Sequence, residues 1–233
     1  MNTEHGLNLG GIMLSQAVLT SWGILLLLWL LSFMLMHALR RPDNAWRTAA
    51  ETLYTMMENA VRDVVPTHYQ QVTPLIGTLW IYLVIANLTG LIPGLDSPTA
   101  DLSITSGLAL IVFGSVHWFG IRYCGWRNYL KHYLSPSPIL LPFHLISEIT
   151  RTLALAIRLF GNIMSLEMAA LLVLLVAGFL VPVPLLMLHI IEALVQAYIF
   201  GVLALLYIGT ALESHTRSNP TAADGASRRN PSS

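Results

Sequence analysis

Charge is what this sequence has least of. Asp, Glu, Lys and Arg make up 10% of its 233 residues while 55% are hydrophobic; a soluble domain carries roughly 25% charged residues. That little polar surface cannot clothe a soluble globule of this size, and a mean hydropathy of +0.65 agrees. Lysine is nearly missing: Lys131 is the one Lys among 12 basic residues, and His132 follows it. A phosphate-cradling loop needs Lys followed by Ser or Thr, so that nucleotide motif is excluded. With Cys124 as the single cysteine there is no internal disulfide framework and no zinc cluster of several thiolates. Cys124 reads as a small, semi-buried apolar residue. The 12 basic residues are balanced by 12 acidic ones, so bulk electrostatics calls for neither nucleic acid nor an acidic substrate. An integral membrane protein remains.

What is present is a set of long apolar runs. Spanning ~30 Å of hydrocarbon takes roughly 20 residues at ~1.5 Å each. No charged residue falls between Glu4 and Arg40, and a first span covers about 17–39. It lacks the basic start and the small-residue cleavage site of a signal peptide. Residues 43–64 differ. Trp46, Ala50, Leu53, Met57, Ala60 and Val64 recur at helical spacing, and Arg47–Glu51 and Glu58–Arg62 form i,i+4 pairs. An amphipathic helix on the membrane surface or against a partner is expected. Further spans are expected over about 74–95, 103–122, 142–180 and 185–212, with Pro93-Gly94, Ser135-Pro136-Ser137-Pro138 and Pro182-Val183-Pro184 as breaks. The fold expected is therefore all-α and polytopic: one membrane domain over 1–212 and a tail over 213–233, disordered by composition.

The fourth span is too long. It contains no proline after Pro142, and as one helix to Leu180 it measures ~58 Å. It must lie strongly tilted, where ordinary spans tilt ~20°, and pack antiparallel against the fifth. Basic residues orient the chain. Arg40, Arg41, Arg47 and Arg62 follow the first span, Arg122, Arg127 and Lys131 the third, and Arg217, Arg228 and Arg229 the fifth. All lie on one side, which the positive-inside rule makes cytoplasmic, with the N-terminus outside.

Several side chains do not belong in lipid. A charge at the bilayer centre costs ~2.5–3.5 kcal/mol on insertion scales, so such residues face a cavity or a partner. Glu148 and Arg151, i,i+3 near a helix end, read as a structural interfacial ion pair. Arg158 has no acidic residue three or four positions away, and Asn162 lies one turn on. On the fifth helix His189, Glu192 and Gln196 are spaced +3 and +4, one polar stripe on an apolar rod. A fixed guanidinium opposite a polar stripe reads as an ion path.

Arg158-Leu-Phe-Gly-Asn162 and Gln196-Ala-Tyr-Ile-Phe200 resemble the two signature stretches of subunit a of F-type ATP synthases. Asn87-Leu-Thr-Gly-Leu-Ile-Pro93 resembles the end of that family's second span, and Glu148-Ile-Thr-Arg151 the lead-in to its arginine. The similarity runs from about 17 to 212. It implies the non-catalytic, ion-translocating stator subunit of a rotary ATP synthase in the bacterial inner membrane. Its partners would be the c-ring and the peripheral-stalk subunit b, and it would need no cofactor or metal. Arg158 matches the arginine that faces each rotor carboxylate. Asn162 and Gln196 match polar residues that position it, and Glu167 and His189 a pair lining the outer half-channel. Glu192 is a half-channel candidate from its stripe. Three features depart from the family pattern: Thr152 in place of proline, Leu166 in place of a small residue, and a short N-terminus.

Physics agrees with this assignment. At ~5 Å and an effective dielectric of ~20, a guanidinium attracts a carboxylate by ~3 kcal/mol. It thereby favours ion release and repels cations leaking between half-channels. Protons are the expected ion, with Na+ the alternative, since the selective carboxylate sits on the ring. A secondary transporter would show repeats and broken helices. An intramembrane hydrolase using Ser147 or Ser165 with His189 would show a nucleophile-elbow or metalloprotease motif. Neither signature is present.

Overall fold

The computed structural model describes residues 7–9, 12–14, 16–38, 45–92, 97–126, 141–177 and 182–216. A two-stranded hairpin, β1 (Leu7–Leu9) and β2 (Ile12–Leu14), pairs antiparallel with Leu9 opposite Ile12. Among the described residues six α-helices follow: α1 (Gln16–Ala38), α2 (Ala45–Val64), α3 (Tyr69–Thr89), α4 (Leu102–Cys124), α5 (Leu141–Ala177) and α6 (Pro182–Thr216). Pro98–Ala100 forms a 3-10 turn before α4. Helices α1 and α3 to α6 are each long and apolar enough to cross a membrane. The fold is all-α and polytopic as expected, apart from the hairpin, which the Gly10-Gly11 dipeptide between two short apolar runs signals.

Local chemistry sets the ends. The Asp101 carboxylate accepts from Ser103 N at 2.7 Å and so caps α4. The helix stops at Gly125, whose φ of 79° suits glycine. Helix α3 begins five residues before the expected Pro74, at Tyr69. Proline removes one N–H, and the carbonyl it leaves unanswered belongs to exposed Gln70, so the turn survives. Thr73 and Thr78 each donate to a carbonyl one turn back, at 2.7 Å. Helix α6 runs to Thr216, past the expected end at Leu212 and into the proposed tail, the rest of which lies outside the described residues.

Helix α3 is the centre of the core. Val72, Ile76, Leu79, Leu83 and Ala86 are buried against α6, which presents Ala193, Ala197, Gly201 and Ala204. Small residues let helices approach closely in a membrane protein. Trp80 lies over Gly201, its ring stacked on Tyr198 and its Nε1 donating to Tyr198 O at 3.4 Å. Helix α1 is apolar all round and largely exposed; it is tied in by Ala17, Ile24 and a 2.7 Å bond between the Ser21 and Tyr82 hydroxyls. Both expected ion pairs of α2 form, Arg47–Glu51 at 2.7 Å and Arg62–Glu58 at 3.6 Å. Only its second half packs on the bundle, through Met57, Ala60, Val61 and Val64, while Leu53 is exposed.

The fourth span is one unbroken helix of 37 residues, or ~56 Å. Thr152 helps keep it so. A proline there would take a donor from Glu148 O, whereas the Thr152 hydroxyl adds one at 3.0 Å.

A Cβ on Gly201 would fall inside the Trp80 indole. Gly201→Ala should destabilise the detergent-solubilised subunit by about 1–3 kcal/mol, the usual cost of overpacking. In a Trp80→Ala background, itself less stable, Gly201→Ala should add little further loss. Additive losses on thermal unfolding would show that the two residues do not share this contact.

Candidate functional site

Helices α5 and α6 run antiparallel, and two contacts give their register. Asn162 Nδ2 donates to Gln196 Oε1 at 2.9 Å. Eleven residues back along α5, the Arg151 guanidinium lies 4.8 Å above the ring of Tyr207, eleven residues forward along α6. Three turns of one helix therefore match three turns of the other. The two stretches singled out in the sequence thus meet through their amides, with Gln196 fully enclosed.

Next to this pair lies a polar network that four elements build. Asn87, in the last turn of α3, is completely buried. Its Nδ2 donates to Ala193 O at 3.1 Å, and its Oδ1 accepts from the Thr99 hydroxyl at 2.7 Å. Ser97 Oγ lies 2.7 Å from Thr99 Oγ1 and 2.9 Å from Ala86 O, with one proton to give. Ser97 N donates to Glu167 Oε1 at 3.2 Å. His189, also buried, approaches Asn87 O with Nε2 at 3.3 Å. A carbonyl can only accept, so Nε2 carries the proton here. Glu167 and His189 are thereby joined through Ser97, Thr99 and Asn87. Gly90 makes room: its φ of −63° is ordinary, but a Cβ there would sit 2.7 Å from Glu167 Oε1. Leu166 turns inward and is buried.

The polar stripe on α6 splits. His189 and Gln196 point into the bundle, whereas Glu192 is half-buried and makes no hydrogen bond or ion pair among the described residues. Arg158 is exposed on α5 and equally without a hydrogen bond or ion pair among the described residues. Asn162 and Gln196 bond each other and do not bond Arg158. Around it the open face of α5 carries Ala154, Ile157, Gly161, Met164 and Ser165. The expected Glu148–Arg151 pair does not form. Neighbouring helices supply better-placed partners, His117 of α4 for Glu148 at 3.8 Å and Tyr207 for Arg151. Ser165 lies on the open face while His189 is buried, so they make no nucleophile–base pair.

The sequence model of one family, ATP synthase A chain, matches residues 18–209. The chain belongs to this family. It is 57% identical over 212 residues to ATP synthase subunit a 2 of Pelobacter propionicus, covering 91% of this chain and 93% of the relative. ATP synthase subunit a 1 of Hahella chejuensis is 55% identical over 218 residues, 94% of this chain and 93% of the relative. ATP synthase subunit a of Legionella pneumophila is 53% identical over 213 residues, covering 89% and 91%. The chain is a multi-pass membrane protein by its five apolar helices.

Sequence reasoning placed Asn87 in a recognisable stretch without giving it work, and passed over Ser97 and Thr99. A signal was available: Asn87 is an amide inside an apolar run, and such a group must find partners. Asn87→Ala should cost this subunit about 1–3 kcal/mol, because the enclosed Thr99 hydroxyl loses its acceptor. Asn87→Asp, which keeps an oxygen toward Thr99 but sets a second, buried oxygen against Ala193 O, should lose at least as much. A denaturant titration that ranks Asp well above Ala would overturn the assigned orientation of the amide.

Proposed function

We propose that this chain is the ion-translocating stator subunit of a rotary ATP synthase in the bacterial inner membrane, coupling a proton gradient to ATP chemistry performed by other subunits. Arg158, exposed and without an ion pair among the described residues, carries the reading. A guanidinium keeps its proton wherever a protein puts it, and one facing hydrocarbon alone is costly. A partner that brings carboxylates to this face relieves that cost. Each carboxylate of a passing c-ring would pair with Arg158 in turn, discharge its ion, and move on. The small residues Ala154, Gly161 and Ser165 on the same face let a partner helix come close.

The other site residues support the same role. Glu167 and His189, joined by the Asn87–Thr99 network, would line the half-channel from the outer side, with half-buried Glu192 at its edge. The Asn162–Gln196 bond would hold α5 and α6 in register beside Arg158 rather than grip the guanidinium. The N-terminus lies outside and the C-terminus inside by the positive-inside rule, residues 1–212 form one membrane unit, and subunit b is the second partner. In this arrangement α5 lies strongly inclined, its ~56 Å within ~30 Å of hydrocarbon.

In vesicles carrying the whole complex, Arg158→Ala should abolish ATP-driven pumping while the detached catalytic head still hydrolyses ATP. Arg158→Lys should fail nearly as badly, because an ammonium can shed its proton in a low-dielectric site. Full pumping by the Lys variant would refute the fixed-charge role. Uptake of Na+ that survives a protonophore would replace protons by Na+ as the coupling ion.

A further inference from the structure

Where α1 and α3 lie side by side, they do not close on each other. A groove of about 710 Å³ runs between them, with Leu19, Gly23 and Leu27 on one wall and Ile85, Leu88 and Ile92 on the other. The 2.7 Å bond between the Ser21 and Tyr82 hydroxyls holds the two helices together beside it. Gly23 keeps the gap open, because a Cβ there would meet nothing within 4 Å. Two hydroxyls reach the walls, and both bond carbonyls of their own helices. Thr20 donates to Ala17 O at 3.0 Å, and Thr89 to Ile85 O at 2.8 Å. The groove therefore presents hydrocarbon surface, where a polar ligand would lose its own hydrogen bonds without replacement.

Length and width select the occupant. Leu19 to Leu27 covers ~12 Å of α1, beginning within its first turn. That fits inside one leaflet, ~15 Å or half the hydrocarbon thickness. Spread over that length, the 710 Å³ gives a section of about 60 Å². An α-helix with its side chains needs roughly 80–110 Å² and would run on through the other leaflet. Extended acyl chains are thinner and end within their own leaflet. We propose that the groove holds the acyl chains of one phospholipid, drawn from the leaflet in which α1 begins, and that its headgroup is zwitterionic. Charge selects the headgroup. No Lys or Arg occurs before Arg40 or between Arg62 and Arg122, so none flanks this end of either helix in sequence, whereas Glu4, Asp96 and Asp101 do. An anionic headgroup finds no cation there, while a phosphate that carries its own ammonium offers those acids a counter-charge. The lipid completes the seat of α1, which is otherwise largely exposed. This site is independent of the stator role.

The test uses the whole synthase in vesicles of phosphatidylethanolamine and phosphatidylglycerol, with a fraction of either lipid carrying a photoreactive acyl chain. After illumination, peptide mass spectrometry should find adducts on Leu19–Leu27 and Ile85–Ile92 that saturate as the phosphatidylethanolamine probe is raised. Adducts at exposed Leu110 of α4, the reference for bulk lipid, should instead rise in proportion. Gly23→Phe, which fills the groove, should lower the groove adducts about tenfold, through the loss of buried methylene contacts, and leave Leu110 unchanged. Groove adducts that rise in proportion and ignore Gly23→Phe are ordinary bulk contact and would overturn the proposal. Saturable labelling by phosphatidylglycerol as strong as that by phosphatidylethanolamine would overturn the headgroup assignment. Should Gly23→Phe fail to assemble, Leu27→Trp at the exposed mouth of the groove takes its place, with the same loss expected. A photoreactive residue in place of Leu27 tests for a protein occupant. Its attachment to lipid alone supports the site, and attachment to another subunit or to a second copy of this chain refutes it.

Discussion

A hydrocarbon environment supplies no water, so every polar group must be answered inside the protein or by a partner. That constraint sorts the whole bundle. Ser21 finds Tyr82, Asn162 finds Gln196, and Asn87 ties together α3, α6 and the turn before α4. Each of these is neutral and turned inward, and each is matched within hydrogen-bond distance. Arg158 sits midway along its span, with a full charge on the open face of the helix and no hydrogen bond or ion pair among the described residues. The contrast is informative because the chain spends donors and acceptors freely elsewhere. Its inner polar groups hold the helices in register, while its exposed cation has no answering group among the described residues.

The register itself follows from residue size. Helix α6 turns Ala193, Ala197, Gly201 and Ala204 toward α3, which lets the two backbones approach and lets Asn87 reach Ala193 O. The close approach also sets His189 against Asn87 O, one turn before Ala193. A larger side chain on this stripe would separate the helices and lengthen both bonds together. Packing and polar contact are one device here, so a change far from Glu167 in sequence can still move it through Ser97. Along α5, Arg158 and Glu148 share one continuous helix, which Thr152 does not interrupt as a proline would.

Much of this was legible from residue types alone. Arg158, Asn162, His189 and Gln196 were conspicuous because polar groups in apolar runs are rare and expensive. The spans were legible because length and hydropathy are local properties. What depended on long-range geometry was not. Glu148 and Arg151 have the spacing of a helical ion pair, yet α4 and α6 bring His117 and Tyr207 nearer, and no pattern within α5 reports that. Leu53 has the right spacing for the buried face of α2 but lies beyond the end of the surface that helix packs against. Pro74 marked a helix start by rule, and the helix absorbed it because the freed carbonyl lies on an exposed residue.

The length of α5 constrains the depth at which its charged residues can sit. Glu148 and Glu167 stand nineteen residues apart, ~28 Å along the axis and close to the ~30 Å hydrocarbon thickness. On an upright helix both carboxylates would sit at the surfaces, already wet, and Arg158 would be midway in dry hydrocarbon. The helix does not end there. Beyond Glu167 it exposes Met168, Leu171, Leu172, Leu174, Leu175 and Val176, an apolar surface that would then project into water. Keeping all ~56 Å within the membrane takes an inclination of roughly 60°, and the depth between the two carboxylates shrinks to ~15 Å. Each then lies inside the hydrocarbon, about as far from its own surface as from Arg158. A carboxylate at that depth is sustained by a partner or by water let in from one side. An inclined α5 therefore sets Glu148 and Glu167 at depths where each depends on what the neighbouring elements give it, His117 to Glu148 and Ser97 N to Glu167, with the Arg158 charge between them.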